Sequence, residues 1–305
     1  MGRGDSAGRQ HSGSKARMMP LATVAALSAA LLALIAQASV IGDDGRQTAN
    51  REALPLASIG SLLDLDSGAL CTASIVADDL LLTPAHCALR AATDADCAWP
   101  STRSDCREPG ALSLRDLRFV PADDHRIAPA DKFARSRRID RVVAHGAASA
   151  DYRQQRHNDW ALLQLAEPLA VQRHPPLRVA VPDYATIGGT ALAMPGYSAD
   201  RYYRDGDPVA DVACTLGFVA APASLIEHDC DSTAGASGSP ILIRDGDGGW
   251  SLIGLHSDGP DPRYARARNG EHRNYGTPSS AFWPALMQLQ RQRSLQPRQA
   301  AHRRR

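Results

Sequence analysis

One serine, Ser237, stands in a setting suited to nucleophilic chemistry, because a glycine follows it and another lies two residues before it. Residues 235–240 run Gly-Ala-Ser-Gly-Ser-Pro, and an apolar run follows the proline. This pattern predicts a hydroxyl on a tight, stiff turn whose backbone N–H groups point into one small space. Because Gly-x-Ser-Gly is common in ordinary loops, the prediction depends on a histidine and a carboxylate elsewhere in the chain.

His86 and Asp159 are the two residues that could complete such a site. Serine catalysis needs a base to take the proton and a carboxylate to orient and charge-balance that base. His86 ends a buried apolar strand beside Cys87, and a disulfide there would hold its backbone. Asp159 directly precedes another apolar strand, where an unpaired carboxylate would be costly. We therefore predict that Asp159 pairs with His86 and that Ser237 is the third member of a catalytic triad.

The order of these residues along the chain, His then Asp then Ser, argues against one class of hydrolase. An α/β-hydrolase runs Ser, acid, His and carries its serine in Gly-x-Ser-x-Gly on a strand-to-helix turn. Here Ser239 occupies the position of the second glycine, and no helical pattern follows. An esterase of that fold is therefore disfavoured.

Composition favours a β-rich protein. The 305 residues are 44% hydrophobic, enough for one large or two small domains. A formal net charge of +1 and 5% aromatic residues give no reason to expect nucleic acid. The 24 glycines and 20 prolines suit short strands and loops better than a helical bundle.

The amino-terminal region predicts export. Residues 1–20 are polar and basic, and residues 21–38 are apolar and end in Ala-Gln-Ala, which fits a signal-peptide cleavage site. The alternative is an uncleaved membrane anchor, since the apolar run is near the lower length limit for spanning a bilayer. In both cases the rest of the chain crosses a membrane, so we predict a secreted or periplasmic protein.

All six cysteines follow this segment, and an even number in an exported chain predicts disulfides. No Cys-x-x-Cys pair is present, so no metal site is predicted. Each sequence-adjacent pair would close a loop of roughly 10–17 residues and contribute about 3 kcal/mol. These pairs are Cys71–Cys87, Cys97–Cys106 and Cys214–Cys230.

The elements that would position the three residues are short strands in two halves. Strands are predicted at 57–63, 70–76, 80–83, 117–120, 138–144 and 160–165, and again at 190–194, 211–219, 240–243 and 250–256. Loops are predicted at 198–208 and 257–275. A helix near the end is indicated by Ser279 and Ser280 as N-cap, followed by Phe282, Leu286 and Leu289 on one face.

We therefore predict an all-β fold of two packed antiparallel β-barrels with a C-terminal helix. Its divisions are a signal peptide at 1–38, a first barrel at 39–165, a linker at 166–182, a second barrel with the helix at 183–290, and a basic disordered tail at 291–305.

Three motifs resemble those of the chymotrypsin-like (trypsin-like) serine proteases. Thr-Pro-Ala-His-Cys at 83–87 is similar to the family's Thr-Ala-Ala-His-Cys, and Asp-Trp-Ala-Leu-Leu at 159–163 to Asp-Ile-Ala-Leu-Leu. Residues 235–240 resemble Gly-Asp-Ser-Gly-Gly-Pro, and Cys71–Cys87 matches the bridge beside the histidine. The resemblance covers about residues 40–290.

Within that family the bacterial, secreted V8-like (glutamyl endopeptidase) branch looks most similar. Val-Ile-Gly-Asp-Asp at 40–44, Cys-Asp-Ser at 230–232 and Gly-Leu-His at 254–256 all fit it. Two departures stand out. Ala236 replaces an acid that pairs with a freed N-terminus in the wider family, so that activation switch is expected to be absent. Pro84 replaces a small residue before the histidine, which a strand end tolerates.

The resemblance implies a secreted serine endopeptidase that acts through an acyl-enzyme, with an oxyanion hole formed by the N–H groups of Gly235 and Ser237. It implies protein or peptide substrates, no cofactor, no nucleic acid, a monomer, and membrane contact only through an uncleaved anchor. The alternative is a catalytically inactive binding protein on the same fold.

The resemblance leaves the specificity open. Asp231, six residues before Ser237, matches the pocket base that selects Lys or Arg in trypsins. His256 and Ser232 match positions that bind a substrate Glu carboxylate, and Ser257 and Gly259 lie on the pocket strand and its entrance. A pocket that contained both Asp231, which favours a basic substrate residue, and His256, which favours an acidic one, would be contradictory unless one of these two side chains points away. Our hypothesis is that a Cys214–Cys230 bridge turns Asp231 outward. Two separate alternatives are that Asp231 is a surface or loop-capping residue and that His256 is an ordinary core histidine.

Overall fold

The computed structural model describes residues 40–89, 114–122, 134–146, 156–219, 225–259 and 273–302. The predicted signal segment and the cysteines at 97 and 106 lie outside these ranges. Among the described residues no helix is long and apolar enough to cross a membrane.

Short strands dominate the described chain, as the glycine and proline content predicts. They are β1 (Gln47–Thr48), β2 (Ile59–Asp64), β3 (Leu70–Ala77), β4 (Leu80–Thr83), β5 (Leu117–Pro121), β6 (Arg137–His145), β7 (Ala161–Leu165), β8 (Arg178–Val179), β9 (Ala191–Gly196), β10 (Val209–Val219), β11 (Ile226–His228), β12 (Pro240–Arg244), β13 (Trp250–Asp258) and β14 (Asn274–Pro278).

The first barrel closes in the order β2-β3-β4-β7-β6-β5. Alternation along β4 explains why its three leucines run without interruption. Leu81 packs inside the barrel, while Leu80 and Leu82 belong to a second core that also holds residues of β12 and β13. Strands buried on both faces therefore lie where the two barrels meet, and the second half of the site is packed against this face.

The second barrel also closes, because β9 pairs with both β10 and β12 at the ends of the order β10-β11-β14-β13-β12-β9. β1 adds to β10, and β8 pairs in parallel with β13. The prediction of two antiparallel β-barrels with a C-terminal helix is confirmed.

Two helices differ from the sequence-based expectation. Helix α1 (Ala199–Asp205) lies in the predicted loop 198–208 and ends at Gly206, whose φ of 73° is the left-handed cap that glycine allows. Its seven residues are too few for a periodic pattern to stand out.

Strands β11 and β14 were also not predicted from the sequence.

Helix α2 (Ser279–His302) continues past Arg291, where a disordered tail is predicted. Arg and Gln, which are frequent in this segment, have high helix propensity. Arg293 also forms an ion pair with Asp79 at the β3–β4 turn, which attaches the helix to the first barrel. The last three residues lie outside the described part of the chain.

Candidate active site

His86 and Asp159 lie in direct contact. The Nδ1 atom of His86 is 2.7 Å from Oδ2 of Asp159, and the His86 backbone N–H donates to Oδ1 at 3.0 Å. Asp159 is only 2% exposed. The hydroxyl of Thr277 donates to its backbone carbonyl at 3.2 Å, so β14 of the second barrel also holds the acid. The geometry suits a carboxylate that orients an imidazole.

A 3₁₀ turn (Ala85–Cys87) and the Cys71–Cys87 disulfide position the histidine at the end of β4. Burial lowers the pKa of His86, but the charge of Asp159, its hydrogen bond and the charge of Asp258 outweigh burial, so the pKa lies above its ordinary value. Asp258 was not a candidate from sequence; it is the last residue of β13 and has no motif of its own.

Glycine is required on both sides of the serine. Gly235 has φ 97° and Gly238 has φ 92°, in the left-handed region that favours glycine. A Cβ atom on Gly238 would lie 1.9 Å from the carbonyl oxygen of Thr72, and one on Gly235 would lie 2.8 Å from Cδ2 of Leu70. Close packing against the backbone of β3 therefore excludes a side chain at Gly238, while at Gly235 the left-handed φ is the stronger constraint.

Some backbone N–H groups of this loop have a hydrogen-bond acceptor and others do not. The N–H groups of Ala236, Gly238 and Ser239 all donate to carbonyl oxygens, at 3.0, 2.7 and 2.8 Å. Those of Gly235 and Ser237 have no acceptor within the ranges that the structure describes. Two unpaired N–H donors, one on each side of Ala236, are what a developing oxyanion would need.

The structure brings Ser237 to the face of the first barrel that carries His86, but within the described ranges no hydrogen bond joins its hydroxyl to the imidazole. The Ser237 carbonyl accepts the N–H of Thr72 at 2.8 Å. A Cβ on the adjacent Gly238 would lie 2.9 Å from Cδ of Pro84, two residues before the histidine. Catalytic hydrogen bonds are often long before substrate binds.

Cys71, His86 and Cys87 place a nitrogen and two sulfur atoms within 4.8 Å of one another. Metal binding by cysteine requires the thiolate. Because the two sulfurs are joined in a disulfide, this group does not form a metal site.

Two buried histidines, His228 on β11 and His256 on β13, lie in contact. Nε2 of His228 is 3.2 Å from Nδ1 of His256, and the two rings are 0% and 3% exposed. Burial lowers the pKa of His228 to about 3, with the charge of Arg273 acting in the same direction. Burial, followed by the charges of His228 and His86, holds the pKa of His256 well below its ordinary value. Both imidazoles are therefore neutral near pH 7.

His256 is also tied to the serine loop, since its carbonyl accepts the N–H of Gly238 and its N–H donates to the carbonyl of Ser239. Ser232 is buried beside the second disulfide, Cys214–Cys230. The Ser257 hydroxyl donates to the carbonyl of Tyr275 at 3.4 Å.

Asp231 has its own set of partners. Its Oδ1 accepts the backbone N–H of Ile41 and its Oδ2 that of Gly45, both at 2.7 Å. Its own N–H donates to Asp211 at 2.8 Å. The carboxylate therefore faces the N-terminal segment of the described chain. At the pocket entrance, the N–H of Gly259 donates to Asp258 at 2.8 Å.

Comparison with known proteins agrees with this arrangement. Residues 71–255, more than half of the chain, match the family model of the trypsin-like peptidase domain. The chain belongs to the trypsin-like peptidase family. Its structural relatives include a Glu endopeptidase in complex with MPD, 19% identical with a TM-score of 0.57, the match covering 82% of this chain and 98% of that one. Another is the protease Anisep from Arthrobacter nicotinovorans, 16% identical with a TM-score of 0.52, covering 78% and 97%.

At these identities the structural likeness shows the shared fold. The comparison with curated proteins gives no match.

Several residues of this serine-type peptidase were not candidates from sequence. Thr72 contacts the serine loop through its main chain and its side chain. Arg46, Asp200 and Thr233 form a network whose members are 154 and 187 residues apart along the chain. No local pattern marks these positions, because their partners come together only in the folded protein.

Proposed function

We propose that this peptidase is a secreted serine endopeptidase in which Ser237 is the nucleophile, His86 the general base and Asp159 the residue that orients the base. The observation that carries the proposal is the 2.7 Å contact between His86 Nδ1 and the buried carboxylate of Asp159. A carboxylate on Nδ1 leaves Nε2 as the acceptor for the serine proton.

The proposed reaction proceeds through an acyl-enzyme. Ser237 attacks the peptide carbonyl as His86 takes its proton, and Asp159 stabilises the imidazolium that forms. His86 then gives the proton to the leaving amine, and water hydrolyses the ester. The raised pKa of His86 supports this role, because the neighbouring carboxylate favours the protonated ring that the attack creates.

The N–H groups of Gly235 and Ser237 would receive the oxyanion. Their lack of acceptors in the described ranges supports this role, as does the left-handed backbone of Gly235. Each such donor contributes about 3 kcal/mol to transition-state stabilisation in serine hydrolases.

For specificity we propose a preference for Glu before the scissile bond. Nδ1 of His256 is engaged by His228, and in this proposal Nε2 of His256 and the hydroxyl of the buried Ser232 bind the substrate carboxylate. Asp231, the residue that would favour a basic side chain, has both oxygens bonded to backbone N–H groups. The fold shared with a Glu endopeptidase is compatible with this preference.

Labelling with a fluorophosphonate tests the enzyme against the inactive binding protein. We expect the wild-type protein to be labelled and Ser237→Ala to be unlabelled. Peptides that differ only in Glu, Gln, Arg or Phe before the bond then test the specificity. Folded wild-type protein that takes up no label would contradict the enzyme, and robust Arg cleavage without Glu cleavage would contradict the acidic preference.

Secretion is tested by N-terminal sequencing of the exported protein. A start near Ser39 is expected after signal cleavage, whereas a start at Met1 indicates an uncleaved anchor.

A further inference from the structure

The segment Ile41–Arg46 packs against Asp231, one of the residues that the resemblance assigns to specificity. Two of its backbone N–H groups, those of Ile41 and Gly45, each donate to one oxygen of Asp231 at 2.7 Å. Asp231 is 5% exposed, so these two bonds supply most of the polar contact that water would otherwise provide.

Arg46 attaches the same segment to the loop that precedes the serine. The guanidinium, in a residue 7% exposed, reaches both oxygens of Asp200 at 3.1 and 2.9 Å and the hydroxyl of Thr233 at 2.9 Å. The Thr233 hydroxyl itself donates to Asp200 at 2.7 Å. A second pair, with Asp44, lies within the segment. Two-point pairing of arginine with a carboxylate is strong and directional, so Arg46 holds the segment, helix α1 and the loop together.

We infer that the segment Ile41–Arg46 is a specificity clamp: it binds both carboxylate oxygens of Asp231 and thereby keeps from the substrate the anion that would otherwise select Lys or Arg. This inference rests on the proposed endopeptidase. Backbone amides carry no net charge, but they satisfy the carboxylate oxygens and direct them away from a substrate side chain.

A second carboxylate makes release of the clamp unfavourable. A Cβ on Gly45 would lie 3.5 Å from oxygens of both Asp211 and Asp231, so the two acids share one small region. Burial raises the pKa of Asp231, the two backbone hydrogen bonds oppose that change, and the charges of Asp211 and Asp44 add to it. Without the two donors, Asp231 would need another partner, and the cation of a substrate Arg or Lys would supply it.

Removal of one donor is the direct test. Ile41→Pro deletes the N–H that binds Asp231, and Ile41→Val keeps it as the matched control. Arg46→Ala releases the segment by a separate route. Its control is Arg201→Ala, since Arg201 meets the same acids only at 3.8 and 3.9 Å.

The readout is the ratio of kcat/KM for two peptides that differ only in Arg or Glu before the bond, with active enzyme counted by fluorophosphonate titration. We expect Ile41→Pro and Arg46→Ala to raise the Arg-to-Glu ratio at least tenfold, and both controls to keep it. In the double variant Ile41→Pro/Asp231→Asn this rise in the Arg-to-Glu ratio should disappear. An unchanged ratio in both test variants, at a normal active fraction, overturns the clamp.

The single variant Asp231→Asn, with Ile41 and Arg46 unchanged, tests the inference while the segment Ile41–Arg46 stays in place. We expect the Arg-to-Glu ratio to change less than twofold, because the carboxylate does not face the substrate. Arg cleavage by the wild type that Asp231→Asn abolishes overturns the clamp, since Asp231 would then be an open pocket base. Wild-type protein that takes up no fluorophosphonate overturns the proposed function instead, so the two failures are distinct.

Discussion

The backbone N–H of Thr72 donates to the carbonyl oxygen of Ser237 at 2.8 Å, so a strand of the first barrel holds the serine loop of the second. The Thr72 side chain is fully buried and adds two contacts: Oγ1 donates to the carbonyl of Gly235 at 3.1 Å and accepts the N–H of Tyr197 at 2.9 Å. Thr72 thus fixes the position of the serine loop relative to the barrel that carries His86.

Thr72→Val should impair catalysis more than its small change in shape suggests. The substitution leaves the Gly235 carbonyl and the Tyr197 N–H buried without this partner, at about 1–3 kcal/mol each. We expect a fall of about tenfold or more in kcat with a smaller change in KM, because about 1.4 kcal/mol of transition-state stabilisation is a factor of ten. Steady-state kinetics and urea unfolding measure both effects. Thr72→Ser keeps the hydroxyl and is the control; wild-type kcat in Thr72→Val would contradict the prediction.

Asp159→Asn should reduce kcat by about four orders of magnitude, since the amide cannot hold the productive tautomer of the imidazole. The variant keeps the shape of the side chain and one acceptor for the backbone N–H of His86. Kinetics with active-site titration measure the loss, and thermal unfolding checks the fold. Less than a hundredfold loss in a folded protein would contradict the role of Asp159.

Activity should rise with pH through a midpoint above about 6.5, the ordinary value for histidine. His86 accepts a proton only when neutral, and the Asp159 and Asp258 charges raise its pKa. Asp258→Asn removes one raising charge, so its acid limb should move to lower pH while the activity plateau stays within a few-fold of wild type. The pH dependence of kcat/KM measures this shift. A midpoint that does not move, or moves upward, would exclude the influence of Asp258.

His228 should make the fold sensitive to acid. Its pKa is about 3 in the folded protein and about 6.5 when solvated. Above about pH 6.5 the imidazole is neutral in both states, and stability is full. As the pH falls from 6.5 towards 3, only the unfolded chain binds the proton, so the free energy of unfolding falls by at most about 1.4 kcal/mol per pH unit.

His228→Gln should therefore lose less stability than wild type between pH 7 and pH 4.5, whatever its stability at pH 7. Urea unfolding at the two pH values gives this difference directly. An equal loss in both proteins would show that His228 does not contribute.

The two described disulfides form a matched pair, because both span a sequence separation of 16. The chain-entropy model gives each about 3 kcal/mol of stabilisation, so replacement of either pair by serines should cost similar stability. Their kinetic effects should differ by position. Loss of Cys71–Cys87 frees the histidine turn and should lower kcat, while loss of Cys214–Cys230 loosens the pocket loop and should raise KM and weaken discrimination. Identical kinetic profiles would contradict this division.

Much of the fold could be predicted because apolar runs and glycine or proline turns are local signals. Strands β3, β4, β7 and β12 lie within a residue or two of their predicted positions. Helix α1 and strand β14 were missed, because short polar elements receive their structure from neighbours. Helix α2 extends beyond its predicted end, partly through the Arg293–Asp79 pair, which no local pattern reveals.

The sequence by itself determined the residue types of the site. A serine among glycines, a histidine beside a cysteine and an aspartate before an apolar strand each carry local constraints, so the contact of His86 with Asp159 could be expected. The tertiary structure alone decided the direction of Asp231. Its partners, Ile41 and Gly45, lie 190 and 186 residues away along the chain, and a hydrogen bond over that separation depends on how the N-terminal segment packs on the second barrel, not on neighbouring residues.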